Sequence, residues 1–141
     1  MKRRLWGAVA LMAGISCWAY GQDKPKIVQA PVKDTSPTSG ADMFKTYCAV
    51  CHGADGTGTG PAAAALKKTP ANLTQLSKNN GGKFPDAKVT EFIRGEGVIA
   101  AHGTRDMPIW GQLFREKGEN ADTVRLRIHN LSAYIETLQQ K

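Results

Sequence analysis

The sequence predicts an all-α protein of about four short helices around one apolar centre. Residues 122 to about 139 carry apolar side chains at spacings of three, four and seven, which is typical of an amphipathic helix. No segment alternates apolar and polar residues as a half-buried strand would. The roughly one hundred residues of the predicted domain are few for a core made of side chains alone. We therefore expect a bound apolar group to fill the centre.

Residues 1–21 have the three parts of a secretory signal. Basic residues at positions 2–4 are followed by an apolar run over about residues 5–15, and small residues precede Gln22. The run is shorter than the ~20 residues that cross a bilayer, which favours cleavage over a membrane anchor. The sequence thus predicts an exported, periplasmic protein. An alternative signal ends before Cys17, whose lipidation would hold the mature chain at a membrane.

Two further regions follow the signal. Residues 22–39 are rich in Lys, Pro, Ser and Thr and bury too little apolar surface to offset the entropy lost on ordering, so they predict a flexible linker. A short strand over residues 26–29 is an alternative, but prolines bracket it closely. Residues 40–141 are then expected to form a single domain.

The net charge is modest. The chain has 19 Lys and Arg against 12 Asp and Glu, a formal charge of +7, which falls by three to +4 when the basic residues of the signal are removed. Because no stripe of Lys and Arg is present, nucleic-acid binding is disfavoured. We expect a monomer that meets redox proteins, with Lys67 and Lys68 either steering an acidic partner or simply solvated.

The predicted domain begins with a helix near Gly40, capped by Ser39. One face of this helix collects its larger apolar residues, Met43, Phe44, Tyr47 and Cys48. The alternating glycines of residues 53–61 predict a loop, because no helix or strand interior accommodates them cheaply. A short helix is expected over residues 62–67.

The middle of the domain is predicted to be irregular over residues 71–85 and then helical. Asp86 is the expected N-cap of this helix, and Gly95 and Gly97 end it. Its apolar face is expected to hold Val89, Phe92 and Ile93. A further short helix is expected over residues 110–114.

Cys48-Ala49-Val50-Cys51-His52 is the attachment signature of a c-type haem. Two thiols three positions apart at the end of one helix can add to the two vinyl groups on one edge of the macrocycle, while the adjacent imidazole reaches the iron. Export places this chemistry outside the reducing cytoplasm. The motif predicts one covalent haem c bonded to Cys48 and Cys51, with His52 as the proximal iron ligand.

Three other interpretations of the cysteine pair compete with haem: a redox Cys-x-x-Cys, half of a zinc site, and a structural disulfide. The redox motif would need a preceding strand, which the sequence does not predict. A zinc site would need two further ligands, and His102 and His129 are scattered along the chain.

The chain resembles the class I cytochrome c family over nearly all of the predicted domain. The resemblance is carried by Gly40 and Phe44 before the haem motif, by the glycine-rich loop, by Met-Pro-Ile-Trp-Gly at residues 107–111, and by residues 131–135. In that family an aromatic of the last helix crosses the first helix. The resemblance implies the small cytochrome c fold, and it implies that the thioether of Met107 is the distal iron ligand.

Two alternatives to ligation by Met107 are open: another role for this side chain, and another residue as the distal ligand. It could be a core side chain, since methionine fills irregular gaps. His102, five residues away, is the rival distal ligand, and His129 is a weaker rival because the polar face of the last helix favours a solvated residue.

Further residues are expected around the haem. Pro61 is expected to place the Gly60–Pro61 carbonyl region so that the second nitrogen of His52 donates a hydrogen bond to it. Candidates for the haem wall are Trp110, Leu66, Phe92 and Ile93, and candidates for holding a propionate are Tyr47 and Arg105.

The predicted function is single-electron transfer. With both axial positions filled by protein, iron can change between ferrous and ferric without exchanging a ligand. The resemblance implies a periplasmic shuttle or an electron-accepting subunit of a respiratory or dehydrogenase system, and no acid/base pair or nucleophile indicates an enzyme in its own right. The alternative is a haem-based gas sensor or haem enzyme with an open distal site.

Overall fold

The computed structural model describes residues 33–96 and 107–140. The α-helical segments are α1 (Gly40–Met43), α2 (Ala49–His52), α3 (Asp86–Arg94), α4 (Trp110–Glu116) and α5 (Ala121–Thr137). A π-helical turn, Phe44–Cys48, joins α1 to α2 into one continuous N-terminal helix, so four helices pack together. Short 3₁₀ turns occur at Ala63–Ala65, Leu73–Gln75 and Lys78–Asn80.

These two ranges contain no strand, and the all-α fold of about four helices is confirmed. None of the helices described is both long enough and apolar enough to span a bilayer. The predicted signal, Cys17 and residues 22–32 of the predicted linker lie outside the described residues, as do Gly97, His102 and Arg105.

The N-terminal helix begins where the sequence predicts. The Ser39 hydroxyl accepts a hydrogen bond from the Asp42 amide at 3.2 Å, which is a typical N-cap. The apolar face is buried as expected, and it consists of Met43, Phe44, Tyr47 and Cys48. The prediction misses the π turn, in which the Ala49 amide donates to the Phe44 carbonyl five residues back.

Helices α1 and α5 cross at Gly40. A Cβ atom on Gly40 would lie 2.1 Å from the Asn130 carbonyl oxygen and 2.8 Å from the Cβ of Tyr134, so only glycine permits this approach. The rings of Phe44 and Tyr134 contact each other with their centroids 5.3 Å apart. The aromatic crossing of the first and last helices is therefore present, as the resemblance implies.

Helix α4 packs aromatic side chains against the N-terminal helix. The Trp110 ring stacks on the Tyr47 ring, with centroids 5.0 Å apart and an interplanar angle of 28°. The Phe114 ring lies 5.6 Å from the Tyr47 ring and is fully buried. This cluster of Tyr47, Trp110 and Phe114 fills the part of the core between the two helices.

Helix α3 departs from its prediction at its first residue. Pro85 occupies the N-cap position, and Asp86 is already helical. The Asp86 carboxylate accepts a hydrogen bond from the buried Ser132 hydroxyl at 2.6 Å instead of capping its own helix. The predicted cap was wrong because a tertiary partner on α5 competes for that carboxylate. Gly95, with φ +90°, ends the helix as expected.

Two other local predictions also need correction. Val89 and Ile93, one turn apart, are buried, but Phe92 is 42% exposed because it lies at the edge of the face that they define. The helix expected over residues 62–67 is reduced to the single 3₁₀ turn Ala63–Ala65.

Residues 33–39, here called the strap, have no regular structure but are bonded to the domain. The Lys33 carbonyl accepts a hydrogen bond from the Tyr47 hydroxyl at 2.7 Å, and the Pro37 carbonyl accepts one from the side-chain Nδ2 of Asn130 at 2.8 Å. Asp34 forms an ion pair with Lys117. Contacts with the domain thus begin before the predicted boundary at residue 40.

A buried ion pair supports the strap. Arg127, 4% exposed, donates from Nε to the two Glu119 carboxylate oxygens at 2.9 and 2.7 Å and lies 5.2 Å from the centroid of the Phe114 ring. Its Nη1 donates to the Thr35 hydroxyl at 2.9 Å. Since Tyr47 gives its proton to the Lys33 carbonyl, the 2.8 Å contact between the two hydroxyls is a bond donated by Thr35 to Tyr47.

Candidate functional site

The candidate site lies at the C-terminal end of the N-terminal helix. Cys48 ends the π turn and is buried, whereas Cys51 and His52 belong to α2 and are half-buried. Both cysteines are free thiols. The helix therefore brings together the three residues of the predicted haem attachment.

Residues 53–61, here called the glycine loop, fold back over the end of this helix. Two amides of the loop and that of Ala62, which directly follows it, donate to three successive helix carbonyls: Gly58 to His52 at 2.7 Å, Gly60 to Cys51 at 3.0 Å, and Ala62 to Val50 at 2.9 Å. These are carbonyls that the end of a helix leaves without an internal partner. The loop thus caps the helix with its own main chain.

The glycines of this loop are required by close approach. A Cβ atom on Gly60 would lie 2.5 Å from the Val50 carbonyl oxygen and 2.6 Å from that of Ala49. Gly58 has φ +90°, and a Cβ atom there would lie 2.5 Å from the Pro70 carbonyl oxygen. The loop is therefore enclosed between the helix end and the chain at residue 70, and neither position has room for a side chain.

The His52 imidazole is oriented by the Ala71 carbonyl. Its Nδ1 lies 3.0 Å from that oxygen. Because a carbonyl oxygen can only accept, Nδ1 carries the proton and Nε2 keeps its lone pair for a metal. Ala71 is a site residue that the sequence prediction missed, since no motif marks a contact across 19 residues.

The prediction that Pro61 places the hydrogen-bond acceptor of His52 was wrong. The Gly60 carbonyl accepts a hydrogen bond from the Ala63 amide at 2.9 Å, within the turn that follows the loop, and Pro61 itself is exposed. The histidine ring bonds instead to the next segment of the chain, at the Ala71 carbonyl.

Burial sets the protonation of these groups. Desolvation lowers the pKa of His52, with the Ala71 bond opposing it, so the imidazole is neutral near pH 7. Desolvation, with a smaller contribution from nearby Cys51, raises the pKa of the Cys48 thiol to about 12. Redox Cys-x-x-Cys motifs depend on a lowered thiol pKa, so this environment disfavours that interpretation.

A zinc site also lacks support in the described residues. Among residues 33–96 and 107–140, no three His, Cys, Asp or Glu side chains lie close enough together to hold a metal ion. His129 is exposed on α5, as expected of a solvated residue.

The residues predicted for the haem wall and for the distal ligand differ in burial. Trp110 and Ile93 are buried and Leu66 is half-buried, whereas Phe92 is exposed. Met107 is 36% exposed and lies three residues before the start of α4; its ligation of iron stays a prediction.

The Tyr47 hydroxyl is hydrogen-bonded to the strap. Its hydroxyl gives its one proton to the Lys33 carbonyl, which leaves no proton for a haem propionate. Tyr47 is thus part of the attachment of the strap.

Comparison with known proteins places the chain in a family. A family model described as cytochrome c oxidase, cbb3-type, subunit III matches residues 35–121, well over half of the chain. The chain belongs to this family. The match confirms the resemblance to class I cytochromes c, and a cytochrome c domain implies a c-type haem and electron transfer. No curated protein and no solved structure matches the chain.

The residues of this cytochrome c domain fit such a haem. Two free thiols three positions apart supply the sulfur atoms for thioether bonds, and the adjacent neutral imidazole supplies a nitrogen lone pair. The hydrogen bond from the other ring nitrogen to Ala71 is the outer contact that metal-bound histidines usually make.

Proposed function

We propose that this cytochrome c domain is a single-electron carrier with one covalent haem c. Cys48 and Cys51 would form the two thioether bonds, His52 would be the proximal iron ligand, and Met107 the distal one. The observation that carries the proposal is the Nδ1–Ala71 hydrogen bond, which frees Nε2 of a histidine directly after two free thiols.

Each residue has a distinct task. The bound haem supplies a one-electron couple between ferrous and ferric iron. Cys48 and Cys51 would fix one edge of the group to the N-terminal helix, and the Ala71 carbonyl would hold the His52 ring and increase its basicity. The thioether of Met107 would favour the reduced iron and raise the potential.

The domain would work outside the cytoplasm, after loss of residues 1–21. We propose a monomeric periplasmic shuttle or an electron-accepting subunit of a respiratory or dehydrogenase complex, and the family description supports the second arrangement. Lys67 and Lys68 are exposed and would face an acidic redox partner. Membrane association would come from a lipidated Cys17 or from the partner complex.

Attachment is tested on the full chain, expressed with export and cytochrome c maturation machinery. We expect a haemochrome spectrum of a doubly thioether-bonded haem and an intact mass with one haem added and residues 1–21 lost. Cys48→Ser and Cys51→Ser should each remove one thioether bond. The control Cys17→Ser should leave haem attachment intact and abolish any acylation. A colourless wild-type product would overturn the proposal.

The distal ligand is tested by the ferric absorption spectrum. We expect a sulfur-to-iron charge-transfer band near the red end, lost in Met107→Ala and kept in His102→Ala. A high-spin wild-type spectrum would instead favour the gas sensor or haem enzyme with an open distal position.

A further inference from the structure

We infer that Gln139, beyond the last helix, is a positioning residue for the His52 imidazole. It would act through the main chain of residues 71–77, which begins with the carbonyl that holds His52. The inference rests on the proposed function, in which His52 is an iron ligand. Gln139 lies outside the residues matched by the family, so family membership assigns it no role.

The side chain of Gln139 bonds to both ends of the Leu73–Ser77 stretch. Its Nε2 donates to the Leu73 carbonyl at 2.7 Å and to the Ile135 carbonyl at 2.9 Å, and its Oε1 accepts from the Ser77 amide at 2.8 Å. Both amide protons and the amide oxygen are therefore used. The next residue adds a main-chain bond, from the Gln140 amide to the Thr74 carbonyl at 2.9 Å.

The same stretch is bonded to the glycine loop on its other side. The Leu73 amide donates to the Gly56 carbonyl at 2.7 Å, so Leu73 is held by the loop through its amide and by Gln139 through its carbonyl. Asn72 closes the turn that follows, because its side chain accepts from the Thr74 amide at 2.9 Å. Ala71 lies two residues before Leu73, and fixing Leu73 and Asn72 restricts where the Ala71 carbonyl can lie.

No simple replacement of Gln139 keeps these contacts. Leucine of similar size would leave the Leu73 carbonyl and the Ser77 amide without their partner. Glutamate would still accept from Ser77, but its ionised carboxylate donates to neither carbonyl. Loss of the donor contacts would let the Ala71 carbonyl move away from Nδ1. The imidazole would then be less basic, and the reduced iron would be favoured.

The test uses the haem-loaded full chain with Gln139→Leu and the matched control Gln140→Leu, whose side chain makes no hydrogen bond among the described residues. The readouts are the midpoint potential and the hydrogen-exchange rate of the His52 Nδ1 proton, followed by nuclear magnetic resonance. In Gln139→Leu we expect a higher potential and exchange about fivefold faster, the factor for one lost hydrogen bond. Gln140→Leu should match the wild type.

Two further variants separate positioning from general stability. Gln139→Glu keeps one contact and serves if Gln139→Leu does not fold. At neutral pH it should also speed exchange, which is its readout because the added negative charge itself lowers the potential. Thr35→Val weakens the strap, so it should lower stability without altering either readout.

The outcomes distinguish the two proposals. If haem is bound through His52 but Gln139→Leu behaves like Gln140→Leu and Gln139→Glu does not speed exchange, the role of Gln139 is refuted and the proposed function stands. If Thr35→Val moves both readouts equally, the effect is one of stability alone, and the inference also fails. If the wild type binds no haem, both proposals fall together.

Discussion

The glycine loop and the strap both bind the N-terminal helix, but they do so with different parts of the chain. The loop uses main-chain amides and carbonyls, and it has no room for a side chain at Gly58 or Gly60. The strap is held by the side chain of Tyr47 on this helix and by those of Arg127 and Asn130 on α5. The difference shows that the helix end at the candidate site is stabilised by close main-chain packing. The strap is stabilised by side-chain hydrogen bonds and ion pairs.

Gly60→Ala should have the largest effect. The new methyl group would meet three backbone atoms at 2.5–2.6 Å, none of which can move without breaking the cap on α2. We expect a loss of more than about 4 kcal/mol, enough to unfold a marginally stable domain. The measurement is the yield of folded, haem-loaded protein. Gly118→Ala is the control, because Gly118 has φ +83° but nothing nearby; normal yield in Gly60→Ala would contradict the backbone account.

Arg127→Met should have the second-largest effect. It leaves the largely buried Glu119 carboxylate without its partner and the Thr35 hydroxyl without its donor. We expect a loss of roughly 3 kcal/mol in the free energy of unfolding, measured with urea. The double variant Arg127→Met, Glu119→Leu should recover most of it, because an apolar pair replaces a buried charge pair at little cost. Equal stability of the single variant and the wild type would show that the strap does not depend on this charge pair.

Tyr47→Phe should have a smaller effect. It removes the hydroxyl between Thr35 and Lys33 but keeps the ring stacked on Trp110. We expect a loss of about 1 kcal/mol and faster amide hydrogen exchange confined to the strap. In the control Tyr134→Phe, the lost hydroxyl has no hydrogen-bond partner in the part of the chain described. If exchange in the glycine loop rose as much as in the strap, the two regions would not be independent.

The smallest effect is expected from the ion pair between the exposed Asp34 and the half-buried Lys117. The hydrogen bond and charge of Lys117 hold the pKa of Asp34 below its ordinary 3.8. The pair therefore stabilises the fold fully above that value and ceases to do so as the pH falls through the lowered pKa. Unfolding of wild type and Asp34→Asn should differ at pH 6, converge in stronger acid, and differ less in high salt. A difference that persists in strong acid would exclude the charge pair as its cause.

The sequence predicts the features that depend on near neighbours. The Ser39 cap, the buried face of the N-terminal helix, the loop at residues 53–61 and the last helix all follow from local spacing. The three attachment residues are likewise adjacent in sequence. The stop at Gly95 is also local, since it needs only a residue that accepts a positive φ.

The remaining features could not be predicted from the sequence, because they depend on tertiary contacts. Ala71, Gln139 and the strap contacts join residues 12 to 93 positions apart, and no periodicity encodes them. Asp86 is a good N-cap by propensity, but Ser132 takes its carboxylate. The Pro61 prediction failed because His52 bonds to the Ala71 carbonyl, 19 residues away in the sequence.

The π turn has a consequence for moving this motif between proteins. One additional residue per turn rotates everything that follows by about 100° relative to an uninterrupted helix. The face of α1 that meets α5 and the face of α2 that carries Cys51 and His52 are therefore out of phase with regular helical spacing. Deleting one residue from Phe44–Cys48 would rotate His52 away from Ala71. If the Cys48–His52 motif were grafted onto a regular α-helix, its histidine would be wrongly oriented, although the sequence of the motif was unchanged.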